Sequence, residues 1–270
     1  MDRSPNNTNQ NALGKNVNEA ALIKAIEHSG YPLQGIIAGK LMSDFQVIEE
    51  WGYIDRDRQK HRTLDIVATR KLAKSNTSVA DIALLIECKR SVHPYVFFKT
   101  VTAWDIPNFP AVAMDGNDVG SLGLGEFDFI RPGPPLCSAF SQGEANGKNV
   151  RLSGARTFNA IVLPLIKARD AAMILHERSR RDNQRRAIKT MILCIAVLDA
   201  PMVLVESPNQ PSPPVLTPWV RVRRQESRQG HSGHRYESYA IDIVHASFFD
   251  DFISKQLQPF MDRFASIATA

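Results

Sequence analysis

The chain has 270 residues, 43% hydrophobic and 23% charged, with 33 basic and 28 acidic side chains giving a net charge of +5. This suits one large domain, or one domain with insertions, and the modest basic excess permits an anionic partner without requiring one. Three widely separated cysteines, Cys88, Cys137 and Cys194, exclude a disulfide framework and a zinc signature, and fit a reducing compartment.

Residues 1–15 are polar, Asn-rich and without apolar periodicity, which predicts a disordered tail and no secretory signal. From Val17 to His28 the positions Ala21, Leu22, Ala25 and Ile26 have helical spacing, stopped by Ser29-Gly30-Tyr31-Pro32. A second helix is expected from Pro32 to Ser43, with Leu33, Ile36, Ile37 and Leu41 along it. Strands follow at Phe45–Asp55, Arg62–Arg70 and Val79–Arg90, separated by polar turns at 56–60 and 71–77. The run Ile82-Ala83-Leu84-Leu85-Ile86 is apolar on both faces, as a central strand requires.

Residues 101–152 are rich in Gly and Pro without a clear period, and are expected to form an insertion or long loop. Arg156–Arg178 has helical spacing, with Pro164 inside it as a potential kink. Thr190–Leu198 and Met202–Glu206 are expected strands around the turn Asp199-Ala200-Pro201. That turn breaks the longest apolar stretch, 191–205, which excludes a membrane span there. A soluble cytoplasmic protein with no membrane partner is expected. After the proline-rich loop 207–218, Trp219–Gln225 and Tyr236–Val244 form a predicted hairpin, and a helix is expected from Ser247 to Ser266. With no repeat and no splitting linker, 16–270 is expected to be a single α/β domain.

Chemistry concentrates on the second and third strands. Asp65 interrupts an apolar strand, while Glu87 and Lys89 end another. Alternation puts Glu87 and Lys89 on the face used by Leu85, and pairing of the two strands brings Asp65 opposite them. Half-buried carboxylates are costly without compensation, and a divalent cation is one compensation. Asp65, Glu87 and the backbone carbonyl of Cys88 are the expected ligands. Such an ion would polarise a phosphate and activate water, with Lys89 orienting the water and stabilising charge on phosphorus. A bare Glu-x-Lys pair is often only a surface ion pair; the aspartate and the apolar context distinguish this one.

The constellation resembles the D…(E)xK signature of the PD-(D/E)xK, or restriction-endonuclease-like, nuclease superfamily. Gly30-Tyr31-Pro32-Leu33, Tyr53-Ile54-Asp55, Arg62-Thr63-Leu64-Asp65-Ile66-Val67-Ala68, Ile86-Glu87-Cys88-Lys89 and Pro94-Tyr95-Val96-Phe97-Phe98 resemble its diagnostic blocks over residues 30–98. The resemblance implies a mixed central β-sheet flanked by helices, a restriction-endonuclease-like core with a C-terminal helix, and Mg²⁺-dependent cleavage of nucleic acid, with DNA the expected substrate and RNA the less favoured one. Mn²⁺ is the expected substitute ion, and a homodimer is compatible with this reading. Relatives often carry a glutamate just after the Pro-Leu pair, where this chain has Gln34 at the rim of the site. A neutral amide hydrogen-bonds water but adds no charge. The alternative is therefore a catalytically inactive nucleic-acid-binding or assembly module that retains the fold.

Two arginine-rich stretches are candidate phosphate contacts, with a solvated surface as the bland alternative. One contains Arg180, Arg181, Arg185 and Arg186; the other contains Arg221, Arg223, Arg224, Arg228 and Arg235. His231 and His234 lack an evident third metal ligand, and Gly120, Gly123 and Gly125 lack the Lys-Ser/Thr of a phosphate-cradling loop.

Overall fold

The structure, a computed structural model of the chain, describes residues 11–55, 57–76, 78–100, 134–146, 149–182, 187–207, 213–230 and 233–269. The expected 1–15 tail lies partly outside this set, and 11–15 precede the first helix without regular structure. Helix α1 (Glu19–His28) starts where the Asn18 side chain accepts from the Ala21 N–H at 3.0 Å. Helix α2 (Tyr31–Leu41) begins with Pro32 in its first turn, where a missing N–H costs nothing.

The strands are β1 (Gln46–Asp55), β2 (Lys60–Lys74), β3 (Ser78–Arg90), β4 (Tyr95–Lys99), β5 (Leu136–Asn146), β6 (Asn149–Ser153), β7 (Ala187–Asp199), β8 (Met202–Val205), β9 (Val215–Leu216), β10 (Trp219–Gly230) and β11 (Gly233–His245). They build one mixed sheet in the order β1-β2-β3-β7-β11-β10-β5-β4-β8-β9, with β6 paired to β5. β1, β2 and β3 form an antiparallel meander; β7 then lies parallel to β3, and β11 parallel to β7. Helix α3 (Gly154–Asp182) precedes β7 in the chain.

Strict alternation divides the interior in two. Ile82, Leu84, Ile86 and Cys88 of β3, with Leu193, Ile195 and Val197 of β7, face one core. There they meet Leu33, Ile37 and Leu41 of α2. The C-terminal segment covers the same face: a 3-10 turn (Ala246–Phe248), a short helix α4 (Phe249–Asp251), a π-helical stretch (Phe252–Leu257) and helix α5 (Gln258–Thr269). It contributes Phe249, Phe252, Phe260 and Phe264. Leu85 of β3, with Ile192 and Cys194 of β7, faces the other core, against Ile161, Val162 and Leu165 of α3. β3 is thus buried on both faces, as its unbroken apolar run requires. Among the described residues no helix is long and apolar enough to cross a membrane.

Several expectations are corrected. β2 continues through the polar Lys71–Lys74, because a register irregularity between Lys71 and Ala73 lets pairing with β3 resume at Ala80 and Val79. The supposed loop 101–152 contains β5 and β6, whereas 101–133 lie outside the described residues. β10 and β11 extend over the polar residues 226–230 and 233–235, paired from Trp219↔Val244 to Gly230↔Gly233. Cross-strand backbone bonds sustain that ladder where the side-chain pattern does not announce a strand. The final helix is segmented rather than continuous.

Leu84 is fully buried, and its truncation leaves a void that neighbouring strands cannot close. Leu84→Ala should lower the unfolding free energy by about 2–5 kcal/mol, read as a reduced urea midpoint at constant slope.

Candidate active site

At the end of β3 the apolar alternation stops and polar side chains take over its positions. Glu87 follows Leu85 on the α3 side of the sheet, yet its side chain is only 6% exposed. Lys89 Nζ donates to Glu87 Oε1 at 2.5 Å. The second carboxylate oxygen, Oε2, is buried without a hydrogen-bond partner. An uncompensated buried anionic oxygen is expensive, so this atom marks a place where a cation or donor belongs.

Asp65 reaches the same place from β2. The β2–β3 ladder ends at Ile66↔Ile86, and beyond it Asp65 Oδ2 accepts from the Cys88 N–H at 2.6 Å. A carboxylate therefore takes the edge donor that a neighbouring strand carbonyl would otherwise take. This fixes Asp65 beside Glu87 and Lys89, as the pairing argument expected. Cys88 points to the opposite core, is 2% exposed, and burial pushes its thiol far above the usual range. It is a small apolar side chain, not a nucleophile.

Burial pushes the Glu87 carboxyl up to about 7, with Asp65 and Glu50 adding to the rise and Lys89 opposing it. Asp65 is raised as well, again by burial, with the Cys88 N–H and Lys89 opposing. For Lys89, burial favours the neutral form, but the adjoining Glu87 outweighs it and holds the ammonium above its ordinary pKa. Tyr53 and Tyr95 are buried nearby: Tyr53 feels the Glu87 charge and Tyr95 that of Lys89. The Tyr53 hydroxyl donates to the Pro164 carbonyl at 3.1 Å, tying β1 to α3.

Gln34 is buried on α2. That helix packs against the core that Cys88 faces, and a Cβ on Gly30 would stand 3.8 Å from the Cys88 carbonyl oxygen. Among the described residues no hydrogen bond or ion pair joins Gln34 to Asp65, Glu87 or Lys89. One acidic neighbour escaped the sequence reading. Glu50 lies across β1 from Asp65, between the pairs Glu49↔Ile66 and Trp51↔Leu64, with φ at 50°. No motif signals it; the hairpin register puts it opposite Asp65.

The available donors suit a hard cation. Glu87 Oε2, Asp65 and the Cys88 carbonyl offer only oxygen, and the partnerless oxygen is the feature a bound Mg²⁺ would satisfy. Among the described residues no group of three or more His, Cys, Asp or Glu side chains forms a ready-made metal cage. Few protein ligands is the usual condition for Mg²⁺, whose shell is completed by water and substrate phosphate. Beside this end of the sheet lies an open cavity of about 970 Å³, lined by Arg90, Val92, Asp199, Met202, Leu216 and His245 among others.

The arginine candidates divide. Arg221 is no phosphate contact: it is 3% exposed and held by both oxygens of Asp242, each at 2.9 Å. Arg224 is exposed, pairs with Glu226 at 3.0 Å, and lies 4.4 Å over the Phe158 ring; Arg223 is half-buried on the neighbouring position. Arg180 and Arg181 belong to the last turns of α3, while Arg185 and Arg186 lie outside the described residues. Gly120, Gly123, Gly125 and His231 also lie outside them, and His234 falls within β11.

The raised Glu87 carboxyl has a consequence for the metal-free fold. Folded protein protonates Glu87 near pH 7, whereas the ordinary value is 4.5, so between these pH values the folded state binds the extra proton. Stability conferred by that proton is present at low pH and is lost as pH rises towards 7. Glu87→Gln should flatten this decline, measured by urea denaturation in chelator across the range; an unchanged slope would assign it to other groups.

No family model matches the chain, and no match was found among curated proteins or solved structures.

Proposed function

We propose that this chain is a divalent-metal-dependent nuclease of the restriction-endonuclease-like kind, hydrolysing phosphodiester bonds in DNA. The observation that carries this reading is the buried, partnerless Glu87 Oε2 beside Asp65 and Lys89. The antiparallel meander, the helix α3 and the parallel β7 beside β3 support it, since the resemblance implies a mixed sheet with helices on both sides.

Each group has a role that follows from its surroundings. Asp65 and Glu87 would hold an Mg²⁺ ion, with the Cys88 carbonyl offering a third protein oxygen. The ion supplies Lewis-acid polarisation of a phosphate and a lowered water pKa. Glu87 is buried enough to favour its neutral form, so ionisation near neutrality is tied to arrival of positive charge. Lys89 remains protonated and sits one strand repeat further out, where its ammonium can leave Glu87 Oε1, orient the attacking water and meet charge growing on phosphorus.

The second reading, a nucleic-acid-binding or assembly module without catalysis, is motivated by Gln34, a buried neutral amide at the position where relatives in the resemblance often carry a glutamate. A panel of linear, circular, single- and double-stranded substrates with and without Mg²⁺ or Mn²⁺ separates the two. Metal-dependent cleavage by wild type, reduced about 10²–10³-fold in Lys89→Ala, is the expected result. Lys89→Ala cutting as fast as wild type would refute the nuclease assignment. Nucleic-acid binding without cleavage, with cleavage appearing in Gln34→Glu, would establish the second reading.

A further inference from the structure

The β1–β2 hairpin changes face at one point. Residues four apart in a regular strand share a face, yet Val47 packs in the α2 core and Trp51 in the α3 core. Across the hairpin the same break recurs: Ile66 packs on the α2 side and Leu64 on the α3 side. The two breaks coincide, because the pairs Glu49↔Ile66 and Trp51↔Leu64 bracket Glu50 and Asp65. At the centre stands Glu50 with φ at 50°, a left-handed conformation that non-glycine residues seldom adopt. Gly52, two residues on, would tolerate that conformation without cost, yet the reversal falls on a glutamate. Backbone strain of this kind persists where surroundings impose it, and it concentrates at functional sites.

We propose that Glu50 is the third acidic group of the cation site, set opposite Asp65 by the register of the hairpin. The inference rests on the nuclease reading and extends it to a residue that neither the motif nor the resemblance contains. The three carboxylates are graded in depth: Glu87 is buried, Asp65 half-buried and Glu50 exposed. Facing them is Lys89, bonded to Glu87. Three carboxylates against one ammonium leave two negative charges, the complement of a divalent ion. The buried partnerless Glu87 Oε2 independently indicates where positive charge is missing. Glu50 thus supplies charge from β1 through the water shell of the ion, since among the described residues the three carboxylates form no ready-made cage.

Crowded carboxylates repel one another when no cation is present, so the residue should favour binding while opposing the metal-free fold. Calorimetric titration of the full chain with Mg²⁺ and Mn²⁺, paired with thermal melts in chelator, tests this with four proteins: wild type, Glu50→Gln, Glu50→Asp and Asp65→Asn. Glu50→Gln should weaken cation binding about 10–100-fold while melting at or above the wild-type temperature in chelator. Glu50→Asp, which keeps the charge and tolerates a left-handed backbone, should retain most of the affinity. Asp65→Asn should lose binding. If Asp65→Asn loses binding but Glu50→Gln binds as wild type does, or if Glu50→Asp is as impaired as Glu50→Gln, the role given to Glu50 is wrong. A wild type that binds neither ion overturns the nuclease reading and this inference with it.

Discussion

A carboxylate held in the interior with one oxygen on Lys89 and the other without a partner is the constraint around which this end of the molecule is arranged. Removing such a group from water costs several kcal/mol unless charge or hydrogen bonds compensate it. One ammonium, itself a third exposed, compensates half of Glu87. The remainder appears as a raised pKa, which is the thermodynamic form of an unmet demand for positive charge.

The rest of the fold explains why the demand is not relieved by movement. β3 pairs with β2 on one side and with β7 along its whole length on the other, from Ser78↔Ala187 to Arg90↔Asp199. Both of its faces are covered, by α2 and the C-terminal segment on one side and by α3 on the other. Shifting β3 by one residue would drive Glu87 into the α2 core and Cys88 into the polar site. Asp65 is fixed too, since its carboxylate closes the open amide at the end of the β2–β3 ladder. Preorganisation of this kind places charged groups before any ligand arrives, which electrostatic catalysis requires.

A second buried charge cluster shows the contrast. Asp242 binds the Arg221 guanidinium through both oxygens and also accepts from Trp219 Nε1 at 3.0 Å. Both its oxygens are satisfied within the sheet, across the directly paired positions Arg221↔Asp242. That pair cross-links β10 and β11, whereas the Glu87 pair leaves an oxygen open. Sequence composition does not distinguish them: each is an acid and a base on strands. The difference is the count of partners, which depends on cross-strand register.

The linear chain determined the strand–helix order through residue 90, the two-faced burial of β3, and the side-by-side placement of Glu87 and Lys89; it did not announce β4. These depend on alternation and apolar runs, which are local properties of a strand. Pairing with Asp65 was legible as well, because a short polar turn leaves adjacent strands little choice but to be antiparallel neighbours. Only tertiary structure decided the rest. Polar strand segments such as 226–230 and 233–235 are held by cross-strand backbone bonds that carry no side-chain signature. The burial of Arg221, the partnerless oxygen of Glu87 and the approach of Glu50 depend on which segments meet and in which register. Spacing along a chain encodes the face a residue occupies; it does not encode what lies across from that face.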